Sequence, residues 1–163
     1  MKILLLLRHA KSSWKDKSLK DFDRPLNERG KRDAKAIGRL IRKEGIVPDL
    51  VLSSPAVRAR ETTAIVLATA KLATELRYDE RIYEADALRL LEVISQIEEN
   101  FNSVFLVGHN PGMEELLERL TGCSEHMSTA TLAQICLKGV DRWSKVSQGK
   151  ATLELIVKPK QIS

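Results

Sequence analysis

Hydrophobic residues in this chain fall into short unbroken runs, separated by longer segments in which they recur every three or four positions. The first run, residues 3–7, consists of an isoleucine and four leucines with no polar residue between them. A strand without polar alternation is typical of a sheet that is covered on both faces. We therefore predict buried strands at residues 3–7, 49–53 and 104–107, with a short extended segment near residues 75–78 as the third strand in chain order.

Helical spacing of apolar residues marks four further segments. The first begins at Glu28 and is predicted to stop at Gly45, because glycine commonly ends a helix. The second begins with Pro55, which suits the first turn of a helix, where its missing N–H is not needed. The predicted helices lie at residues 28–44, 55–72, 88–97 and 113–120.

The polar segment 11–27 has no periodicity and is predicted to be a binding loop.

Strands and helices alternate along the chain, a pattern that predicts a parallel sheet with crossover helices on both faces. Two β-rich runs near the end, 131–138 and 151–157, are connected through Gly139 and Gly149 and are expected to pair as an antiparallel edge hairpin. No linker, repeat or low-complexity segment divides the sequence. The fold class is therefore α/β, with one three-layer α/β/α domain over residues 1–163 and a mostly parallel central sheet.

The composition is that of a globular protein, with 43% hydrophobic residues in a chain of 163. A net charge of +5 favours acidic or phosphorylated partners through the long-range field. However, the 27 basic residues are dispersed among 22 acidic ones, so solubility is the simpler explanation of the excess. The sequence has no row of stacking aromatic residues and no known nucleic-acid motif, so no nucleic-acid partner is expected.

The two cysteines, Cys123 and Cys136, occur outside any metal-binding or redox spacing and are expected to be reduced thiols. The apolar run at residues 3–7 is far too short to span a membrane, and no signal-peptide cleavage pattern follows it. We therefore expect a cytoplasmic protein with no membrane partner.

Basic side chains follow the predicted strands at the points where the strands end. Arg8 and His9 come directly after the first strand, and His109 comes just after the strand at 104–107. Arg58 lies in the first helical turn after the strand at 49–53. Because the carboxyl ends of parallel strands meet at one edge of a sheet, these four side chains are expected to converge there.

Two guanidiniums and two imidazoles form a set suited to phosphoryl chemistry. Arginine presents a planar fork of N–H donors that matches phosphoryl oxygens. A neutral imidazole nitrogen can attack phosphorus in line and form a phosphohistidine. No metal or other cofactor is expected, because fixed cations supply the charge. Lys11 and Ser12 are expected to line the same phosphate site, since they follow His9 so closely, although they could also be solvated loop residues.

Three segments, in this order along the chain, resemble the histidine phosphatase superfamily, which has the phosphoglycerate mutase-like fold. The small size and the Arg-His-Ala-Lys variant resemble its SixA-type branch of phosphohistidine phosphatases, and so does the segment 23–30. The resemblance covers nearly the whole chain. The three segments are residues 6–12, 53–59 and 107–112.

The resemblance implies a role for each of the four basic residues. His9 would be the nucleophile that becomes phosphorylated, Arg8 and Arg58 would clamp the phosphoryl group, and His109 would contact it from the opposite side. Most relatives have glycine after the first histidine, where this chain has the similarly small Ala10. With these roles for the four basic residues, the site is expected to hold a phosphate or sulfate ion.

The identity of a general acid is left open. Mutase-like relatives carry a glutamate in the loop after the third strand, and Glu84 can be matched to it, whereas SixA-type members can lack it. Because imidazole is a good leaving group, phosphohistidine needs less help from an acid than an alkyl phosphate does. Glu84 is therefore either a general acid or an ordinary loop carboxylate.

Only residues 79–86 separate the third strand from the next helix, too few for the long insertion that forms a lid in many sugar phosphatases of this superfamily. The sequence therefore predicts an open site that accepts phosphate carried on a protein, most specifically phosphohistidine. One alternative is a small-molecule phosphatase or mutase that uses Glu84 as its acid. A second is a non-catalytic phosphate-binding or nucleic-acid-binding domain.

Overall fold

The computed structural model of the protein describes residues 1–148 and 150–162. Its centre is a six-stranded sheet in the order β3-β2-β4-β1-β5-β6. The strands are β1 (Lys2–Arg8), β2 (Leu50–Ser53), β3 (Glu75–Tyr78), β4 (Ser103–Gly108), β5 (Leu132–Lys138) and β6 (Lys150–Val157).

The sheet is mostly parallel. β1 pairs in parallel with β4, β4 with β2, and β2 with β3. β5 runs antiparallel to β1, and β6 runs antiparallel to β5 at the edge of the sheet. This arrangement confirms the predicted parallel sheet and its antiparallel edge pair. The connection from β5 to β6 contains a short 3₁₀ helix, Trp143–Gln148, while Gly149 lies outside the described residues.

Four α-helices connect the strands, close to the predicted positions. The side chain of Asn27 caps the first helix by accepting a hydrogen bond from the Gly30 N–H at 2.8 Å. This helix ends before Gly45, whose positive φ of 65° favours glycine. The second helix begins at Val57, two residues later than predicted, so Pro55 precedes the helix instead of opening it. The helices are α1 (Glu28–Lys43), α2 (Val57–Ala70), α3 (Ala87–Ser95) and α4 (Gly112–Thr121).

The leucines of β1 show how the sheet is covered on both faces. Leu4 and Leu6 belong to one buried cluster, which includes side chains of α3 and α4. Leu5 and Leu7 belong to a second cluster on the opposite face, formed with α1 and α2. All four are fully buried, and burial of one such side chain contributes about 2 kcal/mol. The molecule therefore has the three layers α/β/α that the pattern of apolar residues predicts.

The register of the parallel strands brings their carboxyl ends to the same level. Arg8 of β1 lies beside Gly108 of β4, and Ser53 of β2 lies beside Val107. The backbone N–H of His9 continues the pairing by donating to the Gly108 carbonyl at 3.0 Å. Residues that follow β1, β2 and β4 therefore meet at one edge of the sheet. Among the described residues, no helix is long and apolar enough to cross a membrane.

Candidate active site

A cavity of about 240 Å³ opens at the carboxyl edge of the sheet. It is lined by six of the seven residues that the sequence analysis assigned to the site, together with four that it did not. Glu84 is not among them. The lining residues are Arg8, His9, Lys11, Ser12, Trp14, Arg24, Arg58, His109, Asn110 and Thr129.

His9 is held as a neutral imidazole with one unprotonated nitrogen. Its Nδ1 lies 2.7 Å from the carbonyl oxygen of Ala10, which can only accept, so Nδ1 carries the proton. Its Nε2 accepts a long hydrogen bond of 3.4 Å from Arg58 Nε. Burial lowers the pKa of His9 to about 4, assisted by the positive charges of Arg58 and Arg8. At neutral pH the Nε2 lone pair is therefore available to attack phosphorus.

Two hydrogen bonds fix the backbone beside His9. The N–H of Ala10 donates to Thr62 Oγ1 at 3.0 Å, and that hydroxyl donates to the Arg58 carbonyl at 2.7 Å. The end of β1 is thus attached to the first turns of α2. Because Ala10 is fully buried here, only a small side chain fits the position.

His109 lies beside His9 with a ring-centroid separation of 5.0 Å. Its Nε2 is 2.7 Å from Ser54 Oγ, which also accepts from the Ala56 N–H at 3.2 Å. Within the described part of the chain, the Ser54 hydroxyl has no other acceptor, so it donates to Nε2 and leaves the His109 proton on Nδ1. Burial, and then the neighbouring His9 and Arg58, lower the pKa of His109 to about 3.

Two buried N–H donors of the cavity have no partner among residues 1–148 and 150–162. They are Arg8 Nε and His109 Nδ1, and each belongs to a residue that lines the cavity. Buried donors are rarely left without an acceptor unless a ligand or water supplies one. Together with the Nε of Arg58, they are donors on three side chains that line the cavity with His9, and such a set suits an oxyanion.

Comparison with known proteins agrees with this geometry. The family model of the histidine phosphatase superfamily (branch 1) matches residues 4–101 of this chain. The chain belongs to the histidine phosphatase superfamily. An uncharacterized chloroplastic protein of Arabidopsis thaliana is 34% identical over a match 139 residues long, and the match covers 80% of this chain and 64% of that protein.

Two solved structures are similar to this chain over nearly the whole fold. Both are of SixA proteins, to which phosphohistidine phosphatase activity is ascribed. The one from Agrobacterium tumefaciens is 32% identical with a TM-score of 0.84, and the match covers 97% of this chain and 98% of that one. The one from Nakamurella multipartitia is 26% identical with a TM-score of 0.85, covering 97% and 96%. This histidine phosphatase is thus of the SixA type, and the expected phosphoglycerate mutase-like fold is confirmed.

Asp21 is a residue of this histidine phosphatase site that the sequence analysis missed. It lies in the 3₁₀ turn Asp21–Asp23, inside the loop that was predicted to bind ligand. Its Oδ2 accepts from Arg58 Nη2 at 3.0 Å and from the Tyr83 hydroxyl at 2.7 Å, and its Oδ1 accepts from Arg24 Nη1 at 2.9 Å. No spacing in the sequence identifies it, because its partners are 3, 37 and 62 positions away.

The ionisation of Asp21 follows from these partners. Burial opposes the charged form, but the hydrogen bonds from Tyr83, Arg58 and Arg24 outweigh it and lower the pKa of Asp21 to about 2. Conversely, burial and the hydrogen bond to Asp21 raise the pKa of Tyr83 to about 12. Asp21 is therefore a carboxylate and Tyr83 a neutral phenol at all ordinary pH values.

Arg24 lines the cavity and contacts three residues of the segment 11–27. Its guanidinium is buried, donates to Ser12 Oγ and to the carbonyl of Ser13, and lies 3.3 Å from the ring centre of Trp14. Ser12 accepts from Arg24, so its own hydroxyl proton remains available to an anion in the cavity. Lys11 lines the cavity as well, and its side chain is exposed.

The loop after β3 brings Tyr83 to the site in place of Glu84. The Tyr83 ring packs edge-on against His109 at a centroid distance of 5.5 Å. Glu84 is exposed and has a left-handed backbone with φ of 56°. The structure therefore places its carboxyl outside the residues that line the cavity.

Proposed function

We propose that this phosphatase removes the phosphoryl group from phosphohistidine on a protein, through a covalent phosphohistidine at its own His9. The observation that carries the proposal is the unprotonated Nε2 of buried His9, in a cavity that Arg8, Arg58 and His109 also line with N–H donors. The similarity to SixA supports the choice of substrate.

The reaction has two displacements at phosphorus. In the first, the lone pair of His9 Nε2 forms a bond to phosphorus while the P–N bond of the substrate breaks, and the substrate imidazole departs with its bonding electrons. In the second, a water oxygen forms a bond to phosphorus while the P–N bond to His9 breaks, the electron pair of that bond returns to Nε2, and the water gives up a proton to solvent as inorganic phosphate leaves. Arg8, Arg58 and His109 hold the equatorial oxygens in both steps. No redox change occurs and His9 is regenerated.

The leaving group explains how the reaction can proceed without a carboxylic acid in the cavity. A substrate imidazole leaves as a neutral ring once it carries a proton, which the ring can take from solvent near neutral pH. An alkoxide leaving group would need a proton donor close to its oxygen. The position of Glu84 outside the cavity lining therefore favours a P–N substrate over a sugar phosphate.

The experiment compares turnover of a phosphohistidine-bearing protein with that of small sugar phosphates under identical conditions. We expect the phosphohistidine protein to be hydrolysed with the higher kcat/KM. Faster hydrolysis of the sugar phosphates would reject the proposed substrate and leave the His9 chemistry in place.

We further propose that residues 1–163 act as one domain. The cytoplasmic location of the protein stays a prediction.

A further inference from the structure

We propose that Asp21 is a positioning residue that holds Arg58 so that its Nε edge faces the reacting phosphorus. The inference rests on the proposed role of Arg58 as a phosphoryl clamp. It concerns a carboxylate that none of the recognised motifs contains and that acts through another side chain.

The contacts divide the Arg58 guanidinium into two edges. At its far end, Nη1 donates to the Asp21 carbonyl at 2.7 Å and Nη2 donates to Asp21 Oδ2 at 3.0 Å. At its near edge, Nε points at His9 Nε2, 3.4 Å away. An arginine side chain has several rotatable covalent bonds. Two hydrogen bonds at its far end therefore remove most of the rotational freedom that would turn Nε away from His9.

Asp21 also separates two like charges. Arg58 and Arg24 are each 7% exposed, and the carboxylate lies between them with one oxygen on each guanidinium. Without the carboxylate, the two buried cations would repel each other. Tyr83 adds a third donor that fixes the orientation of the carboxyl group. Arg58 is thus held by charge as well as by hydrogen bonds.

A competing interpretation makes Asp21 an internal anion that blocks Arg58 until phosphate displaces it. The geometry favours positioning, because Asp21 is not among the residues that line the cavity and it accepts from Nη1 and Nη2 of Arg58, whereas the Nε of Arg58 donates to His9. The two interpretations predict opposite effects on anion binding. A positioning residue strengthens the binding of phosphate, whereas a competitor weakens it.

The test uses Asp21→Asn, with Asp23→Asn as the matched control. Asp23 lies in the same 3₁₀ turn and is exposed, so its substitution removes the same charge at nearly the same place. We expect Asp21→Asn to lower kcat/KM about tenfold or more and to weaken competitive inhibition by inorganic phosphate, because small displacements of a clamp are costly. Asp23→Asn should change either value by less than about twofold.

Two further variants keep the result interpretable. Tyr83→Phe retains the ring against His109 but removes one bond to Asp21, and it should give a smaller effect in the same direction. In a background of Arg58→Lys, which keeps the charge but loses the fork, Asp21→Asn should add little, because the two residues act as a unit.

Tighter binding of phosphate by Asp21→Asn, or equal effects of Asp21→Asn and Asp23→Asn, would overturn the inference. So would full additivity with Arg58→Lys. The phosphate-binding series does not depend on the substrate, so it still reports on Asp21 if the wild-type protein fails to hydrolyse phosphohistidine.

Discussion

β1 carries a cation at each end, the buried Lys2 and the half-buried Arg8, and the two differ in how their donors are used. At the amino end, the Lys2 ammonium donates to the carbonyls of Glu99 and Phe101 at 2.7 and 2.9 Å and to Asn102 Oδ1 at 3.1 Å. At the carboxyl end, Arg8 donates to the Met127 carbonyl at 3.1 Å, while its Nε has no partner among the described residues. A satisfied cation stabilises the fold, whereas a cation with a spare donor is available to a ligand.

The cavities at the two edges of the sheet repeat this contrast. A cavity of about 500 Å³ lies near the amino ends of β1 and β4, and its lining includes Glu44 and Glu154 and none of the residues assigned to the site. The candidate active-site cavity is about half that size, at about 240 Å³. Cavity volume therefore does not select the edge where the predicted site residues meet, whereas strand direction and unsatisfied donors point to it.

The largest effect is expected from removal of the nucleophile. His9→Ala should reduce turnover by about 10⁴-fold or more, since the covalent step has no substitute. Mass spectrometry of the wild-type protein quenched with a labile phosphodonor should locate phosphate on His9, and the variant should remain unlabelled. Unchanged activity in His9→Ala would support the non-catalytic binding domain instead.

The two ends of β1 should respond in opposite ways to substitution. Arg8→Ala should lower kcat/KM by about 10²- to 10³-fold with little change in stability, as removal of an oxyanion donor does. Lys2→Met should leave the activity of the folded molecules intact but reduce the free energy of unfolding by about 2–3 kcal/mol, because buried acceptors lose their donor. Urea unfolding and steady-state kinetics on both variants measure the contrast. Loss of activity in folded Lys2→Met would break it.

The pKa of His9 gives a third prediction. Because burial lowers it from 6.5 to about 4, His9 should stay unprotonated on acidification until the pH falls through about 4. The unfolded chain takes up this proton near pH 6.5, so the stabilising contribution of neutral His9 is present above pH 6.5 and is lost progressively as the pH falls toward 4. An imidazole titration by NMR measures the midpoint, and a value near 6.5 would contradict the buried environment.

The smallest effect is expected at Glu84. Since its carboxyl lies outside the cavity lining, Glu84→Gln should change the hydrolysis of phosphohistidine by less than about twofold. Hydrolysis of an alkyl phosphate by the same variant provides the comparison. A strong loss there would favour the small-molecule phosphatase or mutase that uses Glu84 as its acid.

The strand ends could be predicted from the sequence because they depend on local information. An unbroken apolar run that stops at Arg8 and His9, and a second that stops at Gly108 and His109, mark two buried strands and their direction. In parallel strands, direction alone places these residues at one edge. The order of the three motifs along the chain then indicated that Arg58 joins these residues and that the chain resembles the histidine phosphatase superfamily.

Only the tertiary structure distinguished Lys2 from Arg8, two cations that flank the same apolar run. It also decided that Asp21 and Tyr83 belong to the site and that the carboxyl of Glu84 lies outside the cavity lining. Each of these depends on contacts between residues far apart in the chain, 37 positions for Asp21 with Arg58 and 97 for Lys2 with Glu99. Apolar periodicity records which face of an element is buried, but it carries no information about which polar atoms from distant loops meet there.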